Sequence, residues 1–177
     1  TILSFALSPE NGISTADTAK LLIEKGAILD ENMGFMNSLT LYLQNPPTNP
    51  DLDFVKYLLN HGADVNAQNN MERTPLISTI IRNRDGTNNQ KIIEFLIDHN
   101  ANLNVKDNRG YTALMYAVGN QDIINIKLLL KQGADANILN NQRCNALSLV
   151  GFSENNEKIN EIRKSLMNVT SEIIVGD

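Results

Sequence analysis

One cysteine, two histidines and no tryptophan stand in a chain of 177 residues. A lone Cys144 can close no internal disulfide and build no thiolate metal cage. Aromatic residues make up only 5%, so the core has to come from Leu, Ile, Val and Ala, which suits thin layers of packed helices. No apolar run approaches the roughly 18 residues of a membrane helix. Runs such as Ile80-Ile81 and Leu128-Leu129-Leu130 are far too short, so no membrane association is expected. Basic residues are also few, 15 Lys and Arg against 20 Asp and Glu, and they are dispersed over a chain of net charge −5. Nucleic acid and anionic lipid therefore lack an electrostatic footprint. What is present is ordinary globular composition, 42% hydrophobic and 20% charged, which excludes wholesale disorder. The first residues, Thr1-Ile2-Leu3, lack the basic-then-apolar pattern of a secretory signal. The compartment stays open on this ground; the cytoplasm is favoured, with secreted or periplasmic locations not eliminated.

Asparagine is abundant, with 26 copies. Codon bias in an AT-rich genome accounts for such a count. Turn chemistry does too, since Asn tolerates left-handed backbone and caps helices. Many of these Asn fall where turns are expected.

The chain repeats itself. Leu21-Leu22-Ile23-Glu24-Lys25-Gly26-Ala27 aligns with Leu58-Leu59-Asn60-His61-Gly62-Ala63-Asp64-Val65-Asn66, with Leu96-Ile97-Asp98-His99-Asn100-Ala101-Asn102-Leu103-Asn104 and with Leu129-Leu130-Lys131-Gln132-Gly133-Ala134-Asp135-Ala136-Asn137. The glycine-equivalent positions are 26, 62, 100 and 133, spaced by 36, 38 and 33. A second landmark keeps step: Thr1-Ile2-Leu3, Asn37-Ser38-Leu39, Thr74-Pro75-Leu76, Thr112-Ala113-Leu114 and Asn145-Ala146-Leu147. Its leucines are spaced by 36, 37, 38 and 33. Each unit reads as helix, loop, helix, turn. Thr or Asn caps the first helix, and Pro75 sits at its first position, where a missing N–H costs nothing. The second helix carries an apolar stripe, Ala19/Leu22/Ile23, Val55/Leu58/Leu59, Ile93/Leu96/Ile97 and Ile126/Leu129/Leu130. It stops at Gly26, Gly62, Asn100 or Gly133, residue types that accept the left-handed C-terminal conformation.

These residues resemble the ankyrin repeat. Thr74-Pro75-Leu76, the Gly110-Tyr111-Thr112-Ala113-Leu114 run with Ala117, and Gly62-Ala63-Asp64-Val65-Asn66 match that family's signature, over about residues 1–168. The resemblance implies an all-α solenoid of stacked helix pairs with projecting hairpin loops, an L-shaped and concave array. Four full repeats are expected, at about 1–31, 32–68, 69–106 and 107–139. A degenerate capping unit at 140–168 and a tail at 169–177 follow. The family period is about 33 residues, and only the fourth repeat keeps it. The distance from the Leu to the Gly landmark is 23, 23, 24 and 19. Repeats one to three therefore carry lengthened inter-helix loops, at Ser8 to Ser14, Asn45 to Pro50 and Arg84 to Asn89. The first repeat opens at its N-cap, so earlier repeats or a further domain are expected to be possible neighbours. In the last unit Ile159, Ile162 and Leu166 supply a final helix with charged neighbours, the polar outer face an open stack needs.

Catalysis finds no support. A general base is most often His, and His61 and His99 occupy equivalent positions just before helix-ending residues. They read as helix-end stabilisers, about a repeat apart and too distant to share a metal. Cys144 has no nearby His in the pattern. Asp64 and Asp135 read as turn formers. Asn66 and Asn137 stand where asparagine hydroxylases modify ankyrin repeats of animal cells, although a turn role is favoured. No cofactor, metal or catalytic residue is expected. The resemblance implies a non-catalytic module that binds another protein through hairpin tips and inner helices. Carried over position by position, that face comprises Met33 and Met36 in repeat two, and Asn70, Met71 and Arg73 in repeat three. Asn108, Arg109, Tyr111 and Asn120 follow in repeat four, then Asn141, Gln142 and Phe152 in the fifth unit. A monomer is expected. The alternative is a recognition or targeting segment of a larger enzyme or secreted effector whose catalytic domain lies elsewhere.

Overall fold

The computed structural model describes residues 15–27, 38–44, 50–83, 89–150 and 157–172. Within them lie eight α-helices and no strand: α1 (Thr15–Glu24), α2 (Ser38–Gln44), α3 (Leu52–Asn60), α4 (Pro75–Arg82), α5 (Asn89–Asp98), α6 (Ala113–Gly119), α7 (Ile123–Lys131) and α8 (Glu157–Glu172). The all-α repeat fold is the one the sequence predicts.

Helix starts follow the capping residues. Thr74 Oγ1 accepts from Ile77 N–H at 3.3 Å, with Pro75 at the first helical position. Thr112 Oγ1 accepts from Met115 N–H at 3.4 Å. On α3 and α7 the cap is acidic: Asp51 Oδ1 takes Asp53 N–H and Asp122 Oδ1 takes Asn125 N–H. Each such bond satisfies one of the donors a helix start leaves orphaned.

The ends of α1, α3, α5 and α7 share one construction. Ala63 N–H returns to Leu58 O at 3.0 Å while Gly62 N–H bonds Leu59 O at 3.1 Å. The same pair of bonds recurs at Ala27/Gly26, Ala101/Asn100 and Ala134/Gly133. This double closure needs a left-handed residue, and φ is 96° at Gly62 and 65° at Asn100.

The inner helices α2, α4 and α6 pack in a row, and α3, α5 and α7 lie against their backs. Leu39, Leu76 and Leu114 from the first landmark and Leu58, Leu96 and Leu129 from the outer helices are all buried. One continuous cluster joins them. A fully buried Leu contributes about 1.5–3 kcal/mol, so this shared spine is the main source of cohesion. Along each outer helix the first two stripe positions of α3, α5 and α7 are buried. The third (Leu59, Ile97, Leu130) is half-buried at the rim.

The last unit departs from its predecessors. Asn145 Oδ1 accepts from both the N–H and the hydroxyl of Ser148, as a cap would. Through Val150, the last described residue before α8, the chain forms a 3₁₀ turn at Ser148–Val150, and Leu147 is half-buried. The capping is done by α8, whose Ile159, Ile162 and Leu166 are buried and which packs on α7. Lys127 and Glu161 pair across that contact. Helix α8 continues to Glu172, into the stretch read from sequence as tail.

The inter-helix loops at Ser8 to Ser14, Asn45 to Pro50 and Arg84 to Asn89 lie largely outside the described residues. Residues 45–51 join α2 to α3 and residues 83–88 join α4 to α5, whereas α6 and α7 are separated by residues 120–122 alone.

Candidate functional site

Between an outer helix and the next inner helix the chain makes a hairpin loop, and three of these share one hydrogen-bond scheme. Asn69, Asp107 and Asn140 are each almost fully buried. The Oδ1 of each accepts two backbone N–H groups: Met71 and Arg73 on Asn69, Arg109 and Tyr111 on Asp107, Gln142 and Cys144 on Asn140, all at 2.9–3.0 Å. Backbone bonds close the same loops, Asn69 N–H to Arg73 O, Asp107 N–H to Tyr111 O and Asn140 N–H to Cys144 O. A side-chain oxygen at the centre of a turn replaces the ladder bonds the tip lacks. The residue three positions on is left-handed in every copy: Glu72 (φ 58°), Gly110 (79°) and Arg143 (62°). At Gly110 the glycine is obligatory, since a Cβ there would lie 2.6 Å from Asn141 Oδ1 and 2.9 Å from Asn140 Cα.

The hairpins are tied to one another. Asn108 N–H donates to Met71 O at 3.0 Å and Asn141 N–H to Arg109 O at 3.1 Å. Asn141 Nδ2 adds a bond to Asn108 O, and Lys106 Nζ reaches Leu139 O at 3.0 Å. The turns just before them are clipped in series as well. Asn66 Oδ1 accepts from Asn102 N–H at 2.7 Å, and Asn104 Oδ1 from Asp135 N–H at 2.9 Å. Asp64 and Asp135 each accept the N–H two residues on, the turn role expected of them.

Beneath the tips lies a polar cluster. The Asp107 side chain is fully buried. Its Oδ2 accepts the Tyr116 hydroxyl at 2.6 Å and forms an ion pair with Arg73 Nε at 3.5 Å. The Arg73 guanidinium also lies 5.7 Å from the centre of the Tyr116 ring, within reach of a cation–π interaction. Burial first, and the bond to the Asp107 carboxylate second, hold the Tyr116 hydroxyl above the usual phenol pKa, with Arg73 opposing.

Six residues carried over as a binding face are brought together here. Asn70, Met71, Asn108, Arg109, Asn141 and Gln142 are all exposed on adjoining tips. Arg73 and Tyr111, expected as exposed anchors, are half-buried. Arg73 turns inward to Asp107, and the Tyr111 ring packs 5.3 Å from that of Tyr116. Asn120 sits at the other end of α6, donating to Ile80 O, where it lines a cavity of about 410 Å³ with Asn83, Asp122, Ile124 and Lys158. Met33, Met36 and Phe152 lie outside the described residues. Asn69, Asp107 and Asn140, which organise the tips, were not singled out by the sequence reading. Their spacings of 38 and 33 repeat those of the neighbouring leucine landmark, and that periodicity is the signal that identifies them.

The two histidines close helix ends. The Nδ1 atoms of His61 and His99 lie 2.8 Å from the carbonyls of Tyr57 and Phe95. A carbonyl only accepts, so Nδ1 donates. The His61 ring stacks on Tyr57 at 4.0 Å, and the His99 ring lies tilted against Phe95 at 3.9 Å, each on the aromatic residue one turn earlier. Cys144 Sγ faces Gln142 O. Among the described residues no group of three or more His, Cys, Asp or Glu is placed to hold a metal ion, and no helix is long and apolar enough to cross a membrane.

A search of curated proteins finds no match. The family model described as ankyrin repeats (3 copies) matches residues 47–140, the span that holds the capped helix pairs and the hairpins tied tip to tip. Ankyrin repeats are in general protein–protein interaction modules and are typically non-catalytic. The chain belongs to the ankyrin repeat family.

Proposed function

We propose that this chain is a non-catalytic protein-binding module, monomeric and without a cofactor, that holds a partner across its hairpin tips and inner-helix face. The observation that carries the reading is the row of exposed Asn70, Met71, Asn108, Arg109, Asn141 and Gln142 on tips joined by direct backbone bonds. The backbone of such a frame is ordered before a partner arrives, so less entropy is lost on binding. Met and Arg are types enriched at protein interfaces. Tyr111 and Arg73 support the tips from beneath, while Met33, Met36, Phe152 and Asn120 are counted with the proposed face on the family resemblance alone. The unit is taken as one domain, with repeats at 1–31, 32–68, 69–106 and 107–139 and a cap from 140, whose helix runs past 168 to Glu172.

Affinity capture with the purified chain, followed by mass spectrometry, tests this against a Met71→Ala/Arg109→Ala variant. Both side chains are exposed, so the melting temperature should hold while specifically captured proteins are lost. Capture that is indifferent to both substitutions would place binding on another surface.

A further inference from the structure

We infer that the last two hairpins bind an acidic segment of a partner protein; this names the partner's chemistry and rests on the hairpin-face reading above. Over residues 105–112 and 138–145 the exposed charged side chains are Lys106, Arg109 and Arg143, all positive. The single carboxylate in that span, Asp107, is buried and committed to Arg73 and Tyr116. This concentration of positive charge stands on a chain whose net charge is −5.

The arginines differ in how they are used. Arg73 pairs with Asp107, Arg82 donates to Gln44 O, and Arg163 donates to Asn160. Neither the Arg109 nor the Arg143 guanidinium has a partner among the described residues, and their hairpins are joined by the bond from Asn141 N–H to Arg109 O. Lys106 reaches across to the same last hairpin through Leu139 O. Three cationic groups thus gather on two adjoining tips, beside a Leu139 side chain that is 45% exposed.

Arg143 holds a left-handed φ of 62°, a conformation that costs an ordinary side chain energy which glycine avoids. The preceding hairpin has Gly110 there because its neighbour leaves no room for a Cβ. A long cation at this position is a stability cost without a compensating contact within the described residues.

Guanidinium forks match carboxylates in bidentate geometry, so Glu- or Asp-rich peptide with an apolar side chain for Leu139 is the complementary occupant. Nucleic acid is the weaker fit. Its affinity grows with the number of phosphates neutralised, and three cations on an acidic chain neutralise few.

Fluorescence anisotropy on the full chain decides the matter. The probes are a short labelled peptide rich in Glu with one central Leu, its counterpart with Gln for Glu, and a single-stranded oligothymidine of equal length. The Glu peptide should bind about tenfold more tightly than the Gln peptide, with the gap narrowing as salt is raised. The Arg109→Gln/Arg143→Gly variant should erase that gap while melting no lower than the parent, since glycine suits the left-handed site. Equal binding of the two peptides, no binding of the Glu peptide, an unchanged gap in the variant, or tighter binding of the oligothymidine would each overturn the inference. If the Glu and Gln peptides bind alike while protein capture still depends on Met71 and Arg109, the acidic preference alone fails. If capture ignores those residues, the hairpin-face reading fails with it.

Discussion

Asp107 does more than its hairpin counterparts. Asn69 and Asn140 supply the same Oδ1 to two backbone donors, but Asp107 adds a charge that meets Arg73 of the preceding repeat and Tyr116 of its own. Replacing it by Ala leaves two tip N–H groups and a half-buried guanidinium without their acceptor. A loss of about 2–4 kcal/mol is expected, below the full value of a broken buried pair because Arg73 keeps some contact with water. Asp107→Asn preserves the tip acceptor and should cost less than half as much. Urea denaturation of the two variants checks the ordering, and equal losses would contradict it. Tyr116 makes a separate prediction. Its hydroxyl is held above the ordinary phenol value of about 10 by burial and by Asp107. The folded state therefore favours the neutral ring. That contribution is fully present below the unfolded pKa and is lost as pH rises through the raised folded one. Tyr42, raised by burial, acts with the same sign. Tyr116→Phe should accordingly shallow the alkaline loss of stability without abolishing it, as thermal melts across that range would show.

Among the helices, energy follows the stripe. Leu129 is fully buried where α7 closes against the cluster, and Leu129→Ala should lower stability by about 2–5 kcal/mol. An unmoved denaturation midpoint would contradict that packing. The helices were legible in advance because caps, apolar spacing and left-handed stops are local signals, each set by a few neighbouring residues. Gly62 ends α3 for the same reason wherever it sits in the fold. The hairpin centres were less legible. Asn69 and Asn140 are two asparagines among 26, and what distinguishes them is burial by the adjoining repeat. Arg73 was read as a surface anchor because its inward turn depends on Asp107, which lies 34 residues away in sequence. The 3₁₀ turn at Ser148–Val150, where earlier units carry α-helix, was likewise hidden, since Asn145 makes its cap bonds in either case.

As a whole the molecule is a chain of neighbours. The bonds from Asn66 to Asn102, Asn104 to Asp135, Met71 to Asn108 and Arg109 to Asn141 each link one unit to the next, and repeat stacks derive stability from such adjacent terms. The cap matters most under that scheme. Deleting α8 would uncover the apolar side of α7 against which Ile159, Ile162 and Leu166 are buried. The shortened chain should melt lower and scatter light at concentrations where the parent does not; equal melting and scattering would show that α7 is shielded by other means.

The helix pairs have two ends, and the chain treats them differently. At one end the connectors run from three residues at 120–122 to seven at 45–51. At the other, three loops repeat the same bonds to the same atoms. The difference in length at the first margin leaves the bonding scheme of the second unchanged. One side of this protein therefore tolerates unequal lengths from pair to pair, while the opposite side holds its tips in a repeating register on which a long, continuous contact can be laid.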